Sequence, residues 1–201
     1  ALNSAVEDAR IQDNNLYVNV DFMWLSCTNV INCTGLWASD VASLFHKEGW
    51  TPPGQFFCKG TYFRAPNISF QHLVYPIPDP KGGLGVHATV DLHNQVRFGP
   101  DVEWLGPSTR TEQIDYTPDP SRADSFYDSI HRYYPHLPLG SLVPDYSGVR
   151  PKLYHPDLSK SKSVSFQDFQ ILGPETHGVP GLVHLLGIES PGLTSSMAIA
   201  D

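Results

Sequence analysis

Two stretches of this sequence carry a buried strand into a helix through glycine, a junction at which the backbone itself can do chemistry. Val179-Pro180-Gly181-Leu182-Val183-His184-Leu185-Leu186 runs into Gly187-Ile188-Glu189-Ser190-Pro191-Gly192-Leu193-Thr194, and Val30-Ile31-Asn32-Cys33 runs into Thr34-Gly35-Leu36. Such a junction aims free N–H groups and the positive end of a helix dipole at an anionic or electron-rich ligand atom. In the second stretch to appear in the chain, Ser190-Pro191-Gly192 sets a stiff proline beside a glycine that permits close backbone approach, and Thr194-Ser195-Ser196 adds hydroxyls in the first helical turn. These are the parts needed to hold the pyrimidine edge of a flavin, whose anionic reduced form a helix N-terminus stabilises. Strand-glycine-helix turns also occur where nothing binds, and for Gly35 a purely structural role stands beside the functional one.

The elements that must position these turns follow from periodicity. Leu16 to Phe22 reads as a strand with Asn19 and Asp21 outward, after a turn at Asp13-Asn14-Asn15, and Val30 to Cys33 as a short buried strand. Leu36 to Lys47 carries Leu36, Trp37, Val41, Leu44 and Phe45 at helical spacing. Between Gln55 and Asp101 the β-branched and aromatic content rises, predicting strands at 56–64, 70–76, 84–91 and 95–98, with Leu92 to Gln95 as a hairpin connection and the whole as an antiparallel sheet. A helix is predicted over 122–134, opened by Asp119-Pro120-Ser121 and closed by Pro135. Tyr146 to Lys152 is a short strand or loop, Lys160 to Ser163 a polar turn, 168–172 a strand, and 193–200 the last helix.

Composition removes several function classes. Over 201 residues the formal charge is -8, and 13 Lys and Arg residues scattered along the chain cannot line a nucleic-acid surface. No apolar run reaches the ~18 residues of a membrane span. Cys27, Cys33 and Cys58 lack the spacing of a disulfide framework or zinc site and read as reduced, mostly buried thiols. His177 in Glu175-Thr176-His177 has no further partners at metal-ligand spacing, so no metal is expected. The chain opens Ala1-Leu2-Asn3-Ser4, without the layout of a signal peptide.

Ordered blocks along nearly the whole chain resemble the L-2-hydroxyglutarate dehydrogenases of the FAD-dependent, D-amino-acid-oxidase-like superfamily. They are Val30 to Ala38, Lys59 to Phe63, Leu73 to Pro78, Gly83 to Asp91, Arg97 to Trp104, Tyr146 to Leu153, Gly173 to Leu182 and Gly187 to Ala200. The resemblance implies oxidation of the 2-hydroxyl of L-2-hydroxyglutarate to 2-oxoglutarate, with the hydride passing to FAD and the electrons to an acceptor the sequence does not name. It implies a mitochondrial location, and a longer N-terminal part bearing a GxGxxG phosphate turn that this sequence does not contain. That FAD-binding half is the expected partner.

Oxidation of a hydroxy acid needs a cation for the carboxylate and a base for the hydroxyl proton, with the flavin across the C–H bond. In Gly148-Val149-Arg150-Pro151, which resembles the substrate-carboxylate loop of related flavin oxidases, Arg150 is the expected clamp, with a salt bridge as the alternative. Lys152 is the candidate for the second carboxylate of a small dicarboxylate substrate, an exposed lysine being the alternative. His87, in Gly85-Val86-His87, is the candidate base, or else a satisfied structural histidine. Tyr62 and Lys59 are expected to share the substrate pocket, Tyr62 otherwise being a core aromatic. The cofactor-binding set is Gly35, Leu36, Gly187, Ile188, Glu189, Ser190, Gly192, Leu193 and Thr194.

These pieces give an α/β (α+β) fold, a partial FAD-binding Rossmann-like domain interleaved with an antiparallel-sheet substrate domain. Residues 1–54 are expected in the FAD-binding domain, 55–145 in the substrate domain with its helix at 122–134, and 146–201 back in the FAD-binding domain. Two other readings stand beside the hydroxyglutarate one. The first is a truncated, non-catalytic domain that binds no FAD alone. The second is a superfamily relative acting on another small 2-hydroxy or amino acid, a choice to which the departure at Tyr154 to Gln167, just after Arg150, is relevant.

Overall fold

The computed structural model describes residues 3–13, 15–45, 47–77, 85–158 and 168–201. They fall into two compact units, one of residues 1–57 with 150–201 and one of residues 58–149. The chain thus leaves the first unit once and returns to it.

The first unit opens with an antiparallel meander of β1 (Val6–Gln12), β2 (Asn15–Val20) and β3 (Met23–Cys27). Only β2 was expected. A register shift between Val6 and Asp8 interrupts the alternation of β1. Met23, Trp24 and Leu25 of β3 stay solvent-exposed, with the Arg10 guanidinium 4.2 Å from the Trp24 ring centroid, so neither flanking strand shows a clean apolar face. Next come β4 (Val30–Asn32) and a turn of 3₁₀ helix at Gly35–Trp37 leading into α1 (Ala38–Leu44); the helix expected over 36–47 ends at Leu44, with Lys47 bridged to Trp50, and the strand expected to be buried leaves Ile31 exposed.

In the second unit β5 (Phe56–Arg64, of which residues from Cys58 belong here), β6 (His87–Val90), β7 (Val96–Gly99), β8 (Glu103–Trp104) and β9 (Val143–Lys152, up to Val149 here) build an antiparallel sheet in the order β6-β7-β5-β8, with β9 also on β5. The β6–β7 connection is the expected hairpin: Asp91 Oδ1 accepts from the N–H groups of His93 (2.8 Å) and Gln95 (2.9 Å), while Asn94 takes φ +58°. The strand expected over 70–76 is absent apart from one bridge, Val74 to Ala88. Phe70 instead plugs the core, edge-on to Phe98 and Tyr134 at 6.0 and 5.2 Å between ring centroids. The strand expected over 84–91 is confined to His87–Val90, residues 78–84 lying outside the described set.

α2 (Ala123–Ile130) is shorter than expected, because a 3₁₀ turn at Pro120–Arg122, capped by Asp119 through Ser121, takes its start and the carbonyl of Ile130 accepts from Tyr133 and Tyr134 at its end. Phe126, Tyr127 and Ile130 pack on Phe63, Ala88, Val96 and Phe98 of the sheet. Burying each such side chain stabilises by ~1.5–3 kcal/mol before entropy is counted.

Back in the first unit follow β10 (Gln170–Leu172), α3 (Pro174–His177), β11 (Leu182–Leu186) and α4 (Gly192–Ala200). β11 lies between β10, antiparallel to it, and β4, parallel to it. Leu182 and Val179 join Ala9, Leu16, Val18 and Phe45 in this unit's core. The polar turn expected at 160–163 lies outside the described residues. Among the three free cysteines only Cys58 is buried; Cys33 is exposed, which corrects the expectation of mostly buried thiols.

Candidate functional site

In the first unit, β4 and β11 pair in parallel with Val30 opposite Leu182 and Asn32 opposite His184. Their carboxyl ends therefore lie on one edge, where each strand runs into a glycine of positive φ, Gly35 at +60° and Gly187 at +65°. A Cβ on Gly35 would meet nothing within 4 Å, so its dihedral alone calls for glycine; at Gly187 a Cβ would also stand 2.9 Å from Leu153 Cγ. Beyond Gly187, the Gly192 N–H donates to Glu189 O at 2.5 Å and α4 begins behind Pro191 with no side-chain cap. With the Gly192 N–H engaged by Glu189 O and the Ser195 N–H by Pro191 O, the N–H groups of Leu193 and Thr194 are the ones the first turn of α4 can offer to solvent or a ligand. Leu193 is 92% exposed there, whereas the hydroxyls of Ser195 and Ser196 turn back onto Pro191 O and Leu193 O.

A residue not singled out in the sequence holds the other junction. Asn32, 2% exposed, donates through Nδ2 to Ala38 O (2.8 Å), lies 3.1 Å from His184 Nδ1, and accepts at Oδ1 from the Thr34 hydroxyl (2.7 Å) and N–H (3.3 Å). One buried amide so ties strand, turn and α1 together and links the turn to β11. With Nδ1 accepting, His184 carries its proton on Nε2, which has no hydrogen-bond partner, and its ring stacks on Trp50 at 5.5 Å. Burial foremost, then the neighbouring His177, pushes the His184 pKa down to about 4. A signal existed: an asparagine inside an apolar strand immediately before a glycine turn is a polar group that must be satisfied.

At the end of β9 the structure departs from a pair of open cations. Glu189 Oε2 lies 3.4 Å from Arg150 Nη1, and Glu189 Oε1 accepts from Lys152 Nζ, with all three side chains less than a third exposed. The alternative of a salt bridge for Arg150 is thus realised, through a single nitrogen. Lys152 is paired rather than exposed, and Glu189, expected among the cofactor-facing residues, is the acid that holds both.

The remaining candidates lie in the second unit. His87 opens β6, is 8% exposed, and packs its ring against Tyr75 with centroids 4.0 Å apart. Lys59 is buried and donates from Nζ to Thr117 O at 2.7 Å, while Tyr62 stacks on Tyr146 at 4.6 Å, where burial raises the Tyr146 pKa. Residues 59 and 62 of one strand point to opposite faces. Lys59 and Tyr62 thus meet different neighbours in Thr117 and Tyr146.

Among the described residues no helix is long and apolar enough to cross a membrane. A parallel strand pair with glycine-to-helix turns on one carboxyl edge is the arrangement by which α/β sheets present backbone donors to an electron-rich ring or anion, and the second unit is built on an antiparallel sheet. Residues 2–201 match the family described as FAD dependent oxidoreductase, and the chain belongs to that family. It is 49% identical over 180 residues to the mitochondrial L-2-hydroxyglutarate dehydrogenase of Arabidopsis thaliana, a match covering 86% of this chain and 36% of that protein. To the L-2-hydroxyglutarate dehydrogenase of Escherichia coli K12 it is 28% identical over 206 residues, covering 86% and 46%. Among solved structures it is similar in fold to the dithionite-reduced, FAD-bound L-α-glycerophosphate oxidase of Mycoplasma pneumoniae, at a TM-score of 0.74 and 21% identity over 98% of this chain and 48% of the other. The glycine oxidase of Geobacillus kaustophilus follows with a TM-score of 0.66 and 16% identity, over 98% and 47%. The chain spans less than half the length of each of these relatives.

Proposed function

We propose that this chain acts, within a longer mitochondrial enzyme, in the FAD-dependent oxidation of L-2-hydroxyglutarate to 2-oxoglutarate. The observation that carries the reading is the shared carboxyl edge of β4 and β11, with Gly35 and Gly187 each opening onto a helix start. The names of the Arabidopsis and Escherichia coli relatives support the substrate. In this reading residues 1–54 and 146–201 contribute to the flavin domain, and 55–145 form the substrate domain. The backbone at Gly35 and Leu36 and from Gly187 to Thr194 would hold the flavin. When bound, FAD supplies the acceptor for the hydride on C2 of the substrate.

The chain's own residues do the rest. Arg150 takes the 2-carboxylate; its contact with Glu189 uses one nitrogen, and a guanidinium fork has a second edge for a bidentate pair. His87 accepts the hydroxyl proton, so that the C2–O bond can become a carbonyl as the hydride departs. Lys59, donating to Thr117 O, orients the strand that carries Tyr62 rather than touching substrate. The absence of GxGxxG from the sequence favours a second reading for the isolated 201-residue chain, that of a domain which retains no FAD alone.

Arg150→Lys in the flavin-loaded protein tests the clamp. Losing the bidentate geometry should raise KM about tenfold to a hundredfold, the equivalent of a charge-assisted hydrogen bond of ~1.5–3 kcal/mol. Unchanged steady-state kinetics would take Arg150 out of the substrate site.

A further inference from the structure

The cluster Arg150, Lys152 and Glu189 has two cations and one acid, and the acid does not divide itself evenly. Lys152 Nζ donates directly to Glu189 Oε1, whereas Arg150 reaches Oε2 through Nη1 alone at 3.4 Å. The ammonium also stands 5.9 Å from the Tyr154 ring centroid. A shallow hollow over it is lined by Lys152, Tyr154, Gly187 and two carboxylates, Glu189 and Asp168. An anion approaching Lys152 would meet two like charges and would have to displace a partly buried partner. Glu189 is kept in place by the backbone: Gly187 at φ +65° packs against Leu153, one residue beyond Lys152, and the Gly192 N–H fixes the Glu189 carbonyl.

We propose that Glu189 sets the anion capacity of this site: it commits Lys152 and leaves Arg150 as the cation that takes a carboxylate, so that the cluster admits one carboxylate and not two. The proposal rests on the reading of Arg150 as the substrate clamp, and sharpens it by making Glu189 a specificity-determining residue. The distal carboxylate of a dicarboxylate is then met by groups other than Lys152.

Binding of 2-oxoglutarate and of the monocarboxylate 2-oxobutyrate to the flavin-loaded protein, measured by titration calorimetry, tests this. Glu189→Gln frees Lys152 and should raise the preference for 2-oxoglutarate over 2-oxobutyrate about tenfold. The double variant with Lys152→Met should lose that gain while still binding 2-oxobutyrate. A preference unmoved by Glu189→Gln, or a gain that survives in the double variant, overturns the proposal and leaves the Arg150 clamp standing. Binding of neither acid to the unaltered protein overturns both. Should Glu189→Gln fail to fold, reductive methylation of the unaltered protein decides: Lys152 should be labelled equally with and without saturating 2-oxoglutarate, and protection of Lys152 would overturn the proposal.

Discussion

At the scale of single residues, His87 carries the proton chemistry of the proposed reaction. It is set at the first position of β6, opposite Gly99 of β7, with Tyr75 against its ring. An imidazole so enclosed has little rotational freedom, which suits a base that must meet one hydroxyl in one direction. His87→Gln keeps a polar side chain of similar reach but cannot take a proton. The pH profile of kcat/KM should therefore lose its acidic limb, with the residual rate down about a hundredfold or more; retention of that limb would exclude His87 as the base. The types of such residues were legible in the sequence, because Arg150 and His87 stand in blocks that resemble a family. Their bonding was not: that Glu189 would turn onto Arg150 and Lys152, or that Lys59 would be spent on Thr117, depends on contacts between segments far apart in the chain.

At the scale of elements, the two glycine turns matter more than the helices they open. Strand and helix could be read from Val30 to Phe45 and from Leu182 to Ala200, since apolar spacing and glycine mark them locally. That β4 and β11 are neighbours and parallel could not, because pairing across 150 residues leaves no local pattern. The same limit explains the missing strand at 70–76, whose Phe70 serves packing with Phe98 and Tyr134. Gly187→Ala puts a Cβ at positive φ, costing ~1–2 kcal/mol, and brings it against Leu153, which must shift. We predict a loss of about 1–3 kcal/mol in urea unfolding together with weaker flavin retention. Gly35→Ala, with open space around its Cβ, should show the dihedral cost alone.

At the scale of the whole molecule, the chain builds a parallel strand pair with two glycine turns in one unit and an antiparallel sheet in the other, leaving the first unit once and returning to it. The first unit also carries a pH dependence. His184 holds its proton at about 4 when folded against 6.5 when free, so the unfolded chain binds a proton that the folded one refuses. Stability should be full above about pH 6.5 and fall as the pH drops from there toward 4, by no more than about 1.4 kcal/mol per pH unit. Thermal melts across that window check it, and His184→Gln should flatten the slope. The central claim, oxidation of L-2-hydroxyglutarate at a flavin held on the edge of β4 and β11, is tested most directly by anaerobic titration of the flavin-loaded protein. L-2-Hydroxyglutarate should bleach the visible band of the oxidised flavin and yield 2-oxoglutarate, while the D enantiomer, glycine and glycerol 3-phosphate leave the band unchanged. A flavin reduced by one of those three and not by L-2-hydroxyglutarate would contradict it.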